Sequence, residues 1–294
     1  MNQPDFLIIG AQKSGTTWLD RNLRLHPQLW LPPEKELHFF DFPPLIPFFF
    51  LRFAPDRQIR HWARYRMRRD AQHGVGPSPL ANWFRRYYWM PRTESWYRRC
   101  FSAQGNQLVG EATPRYAIMS ARRRAQLKRM APGVRLIYLL RDPIDRMWSD
   151  LALFSSAKFG GRGIALNDHA QWTRFLMHPA NLAHSRYGMN LSRWEAAFGR
   201  ERLHIAFHDD IASRPEHLIR EACQFIGADP ERFDYSRLLR ERIHSQEYPA
   251  MPAPVARKLA EQLLPDLRTL HARLQHSHTA RWLNRAENLI KFSS

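Results

Sequence analysis

The pattern of apolar positions divides the chain before any chemistry is considered. Phe6-Leu-Ile-Ile-Gly10 is an unbroken apolar run of the length expected for a strand buried on both faces. A glycine-bounded loop follows. Thr17-Trp-Leu-Asp-Arg-Asn-Leu-Arg-Leu25 then switches to helical spacing and stops at His26-Pro27. The strand pattern returns at Val134-Arg-Leu-Ile-Tyr-Leu-Leu140 and at Leu203-His-Ile-Ala-Phe207. Between them, Asp142 is a suitable helix cap, and Pro143 falls where a helix tolerates proline. Strands alternating with helices predict an α/β fold on a mainly parallel sheet. In the last third, Val255, Leu259 and Leu263, then Leu267, Leu270 and Leu274, keep a three-to-four spacing. They predict two core-packed helices, the second starting at Pro265. With no internal repeat and no low-complexity linker, residues 1–294 read as a single domain.

Composition narrows the class. A hydrophobic fraction of 44% with 13% aromatics over 294 residues supplies a full core and excludes disorder, collagen and small disulfide scaffolds. Cys100 and Cys223 are too few for a disulfide framework or a four-thiolate zinc site and suit a reducing compartment. Met1-Asn-Gln-Pro-Asp5 carries no basic leader, and the longest apolar stretch, 42–51, is broken by Pro43, Pro44 and Pro47. A bilayer span needs about 20 residues, so a soluble, cytoplasmic protein is expected.

Charge adds a partner and a region. Lys+Arg total 45 against 27 Asp+Glu, a net +18, and only six of the cations are lysines. Such an excess implies an anionic partner. It is densest between Arg52 and Arg99, where twelve arginines face only Asp56, Asp70 and Glu94. Trp62, Trp83, Trp89 and Trp96 alternate there with Tyr65, Tyr87, Tyr88 and Tyr97. This predicts an Arg/aromatic-rich helical insertion at about 43–95. Arginines among aromatics can bind nucleic acid, an anionic glycan or anionic lipid; they also describe a helical cap with wet arginines. We expect the insertion to form one wall of an acceptor cleft, with peripheral contact to an anionic membrane open to it.

The strongest chemical signal is Gly10-Ala-Gln-Lys-Ser-Gly-Thr-Thr17, set between strand and helix. The phosphate-binding pattern G-x-x-x-x-G-K-[ST] requires a lysine where Thr16 stands. Here the lysine sits inside the loop, at Lys13. Backbone amides at the helix N-terminus can still take a phosphate. The usual arrangement for a β/γ-phosphate and magnesium is missing, which points away from ATP hydrolysis.

With Trp18 and Leu19, this loop resembles the 5′-phosphosulfate loop of sulfotransferases that use 3′-phosphoadenosine-5′-phosphosulfate (PAPS). Three further segments resemble the same family, in the same order. Lys35-Glu-Leu-His-Phe-Phe-Asp41 is similar to the K-E-x-H-F-F-D segment of heparan-sulfate and bacterial carbohydrate sulfotransferases, and Gly110-Glu-Ala-Thr-Pro-Arg-Tyr116 to their G-E-K-T-P-x-Y. Arg141-Asp-Pro-Ile-Asp-Arg-Met-Trp-Ser149 resembles the 3′-phosphate motif R-D-P-x-x-R-x-x-S, and Arg186 to Trp194 followed by Phe198 also fits.

The resemblance implies a P-loop-like, nucleotide-kinase-like parallel sheet flanked by helices. It also implies sulfuryl transfer from PAPS to an acceptor hydroxyl, with adenosine 3′,5′-bisphosphate as product and no metal. Lys13 becomes the leaving-group cation. Ser14, Gly15, Thr16, Thr17 and Trp18 become the 5′-phosphate cradle, and Arg141 and Ser149 the 3′-phosphate grip. Glu36 becomes the general base, with His38 as an alternative or an orienting residue. The acceptor is a carbohydrate, glycolipid or small molecule, or a protein tyrosine; nucleic acid is not expected.

Three departures accompany the resemblance. The lysine of G-E-K-T-P is Ala112, so its contact is absent or comes from an arginine, and Glu111 reads as structural. The late loop K-G-R-x-H has only a partial echo at Arg240-Glu-Arg-Ile-His244, which makes Arg242 and His244 weaker phosphate candidates. The stretch from Asp41 to Trp96 is longer than usual. Two other classes remain open on the sequence: a nucleotide kinase or NTPase on the same scaffold, and a non-catalytic binder of anionic polymers.

Overall fold

The computed structural model describes residues 3–42, 47, 50, 79–102, 105–155, 168–240 and 250–291. Five strands form one parallel sheet: β1 (Phe6–Gly10), β2 (Leu29–Trp30), β3 (Leu108–Ala112), β4 (Arg135–Leu140) and β5 (Leu203–Phe207), in the order β2-β3-β1-β4-β5. The described helices are α1 (Thr16–Leu23), α2 (Pro79–Trp89), α3 (Glu94–Arg99), α4 (Ala121–Met130), α5 (Pro143–Ser155), α6 (His169–Leu176), α7 (Pro179–Ala183), α8 (Tyr187–Phe198), α9 (Asp210–Ser213), α10 (Pro215–Ile226), α11 (Ala253–Leu274) and α12 (Ser277–Lys291).

All five residues of β1 are buried, as its continuous apolar run requires. Its side chains alternate between two cores. Leu7 and Ile9 join Tyr138, Leu191, Trp194 and Leu263 on one face, while Phe6 and Ile8 join Trp18, Leu19, Ile219 and Cys223 on the other. Helices therefore cover both faces of the sheet. Chain direction out of the sheet reverses between neighbours: β1 leads towards β2, and β4 towards β5. The C-terminal ends of β1 and β4 thus flank the switch point at which open α/β sheets bind ligands.

One element differs from the expected pattern. Pro265 does not begin a helix; it lies inside α11, which runs unbroken from Ala253 to Leu274. The buried stripe Leu259, Leu263, Leu267 and Leu270 continues straight across it, and that burial outweighs one lost backbone hydrogen bond. The next helix begins only at Ser277, after Gln275 takes a left-handed conformation at φ 47°.

The described part of the Arg/aromatic insertion packs inward. Trp83, Tyr87, Trp96 and Tyr97 are buried in the same core as Leu7, with Trp83 stacked on Tyr87 at 5.1 Å and Tyr97 on Phe39 at 4.6 Å. Arg92 is buried too, whereas Trp89 and Arg85, Arg86 and Arg99 are exposed. Trp62, Tyr65 and the arginines from 52 to 69 lie outside the described residues.

Candidate active site

The loop after β1 is shaped by Gly15, which caps α1 at φ 88°. A Cβ at that position would collide with Ile211 Cδ1. Lys13, two residues earlier, is also left-handed at φ 65°. The loop is clamped to the sheet by the Ala11 N–H, which donates to the Leu139 carbonyl at 2.8 Å. The first N–H groups of α1 have no partner within their own helix, and they face the loop. Ser14 is fully buried at the end of the loop. Its side chain lies beside the hydroxyl of Tyr187, which also approaches the Arg141 main chain and is pushed up to about 12 by burial. Two buried hydroxyls beside the N-terminus of α1 suit an anion there.

Arg141 leaves the end of β4 and crosses the switch point, where its Nη1 donates to the carbonyl of Lys13 at 3.0 Å. The two predicted phosphate segments are therefore physically joined. Asp142 Oδ1 caps α5 by accepting from the Ile144 and Asp145 amides at 2.9 and 3.3 Å. Ser149 is buried on that helix. Arg146 of the same motif is fully buried and structural: it donates to Ser185 Oγ at 2.6 Å and lies 3.4 Å from Asp150. Trp18 is also a core residue, its indole N–H donating to the Leu239 carbonyl. Of the predicted cradle, Trp18 can thus offer only its backbone amide.

The third segment is an array of charges. Glu36 Oε1 pairs with Lys35 Nζ at 3.0 Å, and its Oε2 lies 3.2 Å from His38 Nε2. His38 Nδ1 in turn meets Asp41 Oδ2 at 2.7 Å. Burial alone would push the His38 imidazole down, but the charge and hydrogen bond of Asp41, together with Glu36, outweigh it and hold His38 above its ordinary value. The His38 and Asp41 side chains are 5% and 8% exposed, and that of Glu36 is 28% exposed. The His38 ring stacks on Phe42 at 4.5 Å.

Beneath this array, Ala112 at the end of β3 presents its carbonyl to the Glu36 N–H at 3.0 Å. Arg115, in the same segment, lies 3.7 Å from Asp41. Arg242 and His244 lie outside the described residues. Among the described residues, no group of three or more His, Cys, Asp or Glu is placed to hold a metal ion, and no helix is long and apolar enough to cross a membrane.

Three neighbours of the site carried no motif-based role. Tyr187 opens α8; His208 follows β5 and lies against Gly15; Arg285, on α12, donates to Asp142. Only Tyr187 left a sequence signal, inside the fitting run from Arg186 to Trp194. The other two are brought in by tertiary structure alone.

A parallel sheet with helices on both faces, a glycine-capped phosphate loop after the central strand and an arginine across the switch point define a P-loop-like α/β fold. The model of the sulfotransferase family matches residues 4–232, and the chain belongs to that family. A curated relative is the membrane-associated sulfotransferase kil1 of Dictyostelium discoideum, 28% identical over 146 residues. That match covers 50% of this chain and 22% of the relative. Among solved structures, a sulfotransferase from Alicyclobacillus acidocaldarius aligns with a TM-score of 0.65 at 24% identity, covering 96% of this chain and 99% of that one. The sulfotransferase domain of the Synechococcus PCC 7002 olefin synthase aligns with a TM-score of 0.52 at 17% identity, covering 88% and 94%.

Proposed function

We propose that this sulfotransferase takes its sulfuryl group from PAPS and passes it to a hydroxyl of a carbohydrate, glycolipid or small molecule. The observation that carries the donor reading is the Arg141–Lys13 hydrogen bond across the switch point. It links a cation suited to a 3′-phosphate with the loop suited to a 5′-phosphate. The buried hydroxyls of Ser14 and Tyr187 beside that loop support the same fit.

PAPS supplies an activated sulfuryl group whose sulfur–oxygen bond to the 5′-phosphate breaks as the acceptor oxygen bonds to sulfur. The residues of this chain serve that exchange by position and charge. Ser14, Gly15, Thr16, Thr17 and Trp18 hold the 5′-phosphate, and Arg141 and Ser149 hold the 3′-phosphate. Lys13 meets the charge on the leaving oxygen. Glu36 takes the acceptor proton, and Asp41, through His38, fixes the carboxylate in place. Arg115, held near Asp41, is the arginine we assign to the role that a lysine at position 112 would fill. The two buried thiols, Cys100 and Cys223, support a reducing, cytoplasmic setting.

The test is transfer from radiolabelled PAPS to a panel of glycan, glycolipid, phenolic and tyrosine-peptide acceptors. The native enzyme should label a non-peptide hydroxyl, and Glu36→Gln should label nothing while still binding the nucleotide. Labelling by Glu36→Gln at the native rate would overturn the base; labelling of tyrosine peptides alone would overturn the acceptor class.

A further inference from the structure

The Glu36 segment is held in a conformation its residues do not favour. Glu36 at φ 65° and His38 at φ 55° both lie in the left-handed region. Strain of this kind persists only where the surroundings over-determine it. The restraints are visible. Beyond the Glu36–Ala112 bond, the Leu37 N–H donates to Glu111 Oε2 at 3.3 Å and the Phe39 N–H to the Tyr116 hydroxyl at 3.0 Å. Arg92, from the insertion, donates to the Leu37 carbonyl.

Glu111 is where these restraints meet. Besides Leu37, it accepts from Tyr97 at 2.7 Å, Thr113 at 2.7 Å and Tyr116 at 3.1 Å. With Glu111 ionised, every one of these contacts has the carboxylate accepting. An amide only donates, and the Tyr116 hydroxyl, already accepting from Phe39, has its own proton left for Glu111. Burial pushes the Glu111 carboxyl up, and the hydroxyls and the Leu37 amide oppose it. A carboxylate ringed by donors, linking β3, the insertion and the Glu36 segment, is more specific than a core residue needs to be.

We propose that Glu111 is a positioning residue for Glu36: it gathers the Leu37 amide and, through Tyr116, the Phe39 amide, so that the strained segment presents its carboxylate to the acceptor. Tyr97 ties the brace to α3 at the end of the Arg/aromatic insertion, and Arg92 within the insertion holds the Leu37 carbonyl, which gives that insertion a role in holding the base. The catalytic half of the inference rests on Glu36 being the base; the structural half does not.

The experiment is hydrogen exchange on the full chain, comparing peptides covering 34–42 and 6–18 in the native protein, Glu111→Gln and Tyr97→Phe. Tyr97→Phe keeps the ring and removes one donor. Exchange across 36–39 should quicken by about tenfold in Glu111→Gln and by several-fold in Tyr97→Phe, with 6–18 unchanged. Turnover of radiolabelled PAPS should fall by about tenfold in Glu111→Gln, with affinity for adenosine 3′,5′-bisphosphate kept within about twofold. Unchanged exchange at 36–39 would overturn the brace whatever the chemistry. Equal acceleration of both peptides would make Glu111 a general core residue and overturn it too. Local acceleration with native turnover would overturn its tie to Glu36. A native protein that binds no adenosine 3′,5′-bisphosphate defeats the donor reading instead, and the exchange rates at 36–39 still decide the brace by themselves.

Discussion

Arg285, near the end of the chain, donates through Nη1 to Asp142 Oδ2 at 2.6 Å and lies 2.9 Å from Asp145. The C-terminal helix α12 therefore neutralises the carboxylate that caps α5, directly beside Arg141. Burial and the nearby Asp145 push Asp142 up, and Arg285, with the Ile144 amide, opposes them. Residues 253–291 lie beyond the 4–232 stretch matched to the family, yet Arg285 among them neutralises the carboxylate next to Arg141.

Arg285→Gln should therefore cost stability at neutral pH, by about 1–2 kcal/mol. This lies between an exposed and a buried pair, because the guanidinium side chain is 39% exposed. The deficit should shrink towards acid pH as Asp142 takes up its proton. Urea unfolding at several pH values measures both, and an unchanged midpoint at neutral pH would refute the pairing.

His38 gives a second pH signature. Its folded-state value is raised above the ordinary value of about 6.5. The stabilisation from Asp41 and Glu36 is then fully present below about pH 6.5 and fades as pH rises through the folded-state value. The gap in unfolding free energy between the native protein and His38→Asn should be wider near pH 6 than near pH 9. A remainder should survive at high pH from the stack on Phe42. A gap independent of pH would show that His38 is not held in its charged form.

Gly15→Ala tests the loop. The new Cβ meets Ile211 at a φ of 88°, so the variant should lose about 1–3 kcal/mol of stability and at least tenfold in nucleotide affinity. Thermal unfolding and a nucleotide titration check these outcomes; native values in both would mean the loop does not need its left-handed glycine.

Much of this architecture is legible in the sequence where one element buries itself on both faces. β1, β4 and β5 announce themselves as apolar runs, and the phosphate loop by its glycines. β3 does not, because Gly110 and Glu111 interrupt its apolar pattern, and hydroxyls and an amide gathered largely from other segments make a buried carboxylate tolerable there. Pro265 misleads for a related reason: local propensity is overruled by the stripe that packs across it. The motifs bring Lys13, Glu36, His38 and Arg141 to one edge of the sheet. Three of these, Lys13, Glu36 and His38, account for all but one of the non-glycine left-handed residues described. Arg285 and His208 carry no local pattern and become visible only when distant segments meet.

Donor binding at the switch point is tested most directly by isothermal titration with adenosine 3′,5′-bisphosphate in the presence of a metal chelator, comparing the native protein with Lys13→Ala and Arg141→Ala. We predict tight, metal-free binding that weakens about ten- to hundredfold in each variant, the loss expected for one charge-assisted phosphate contact. Binding that is absent, indifferent to both substitutions, or replaced by magnesium-dependent binding of ATP would contradict it.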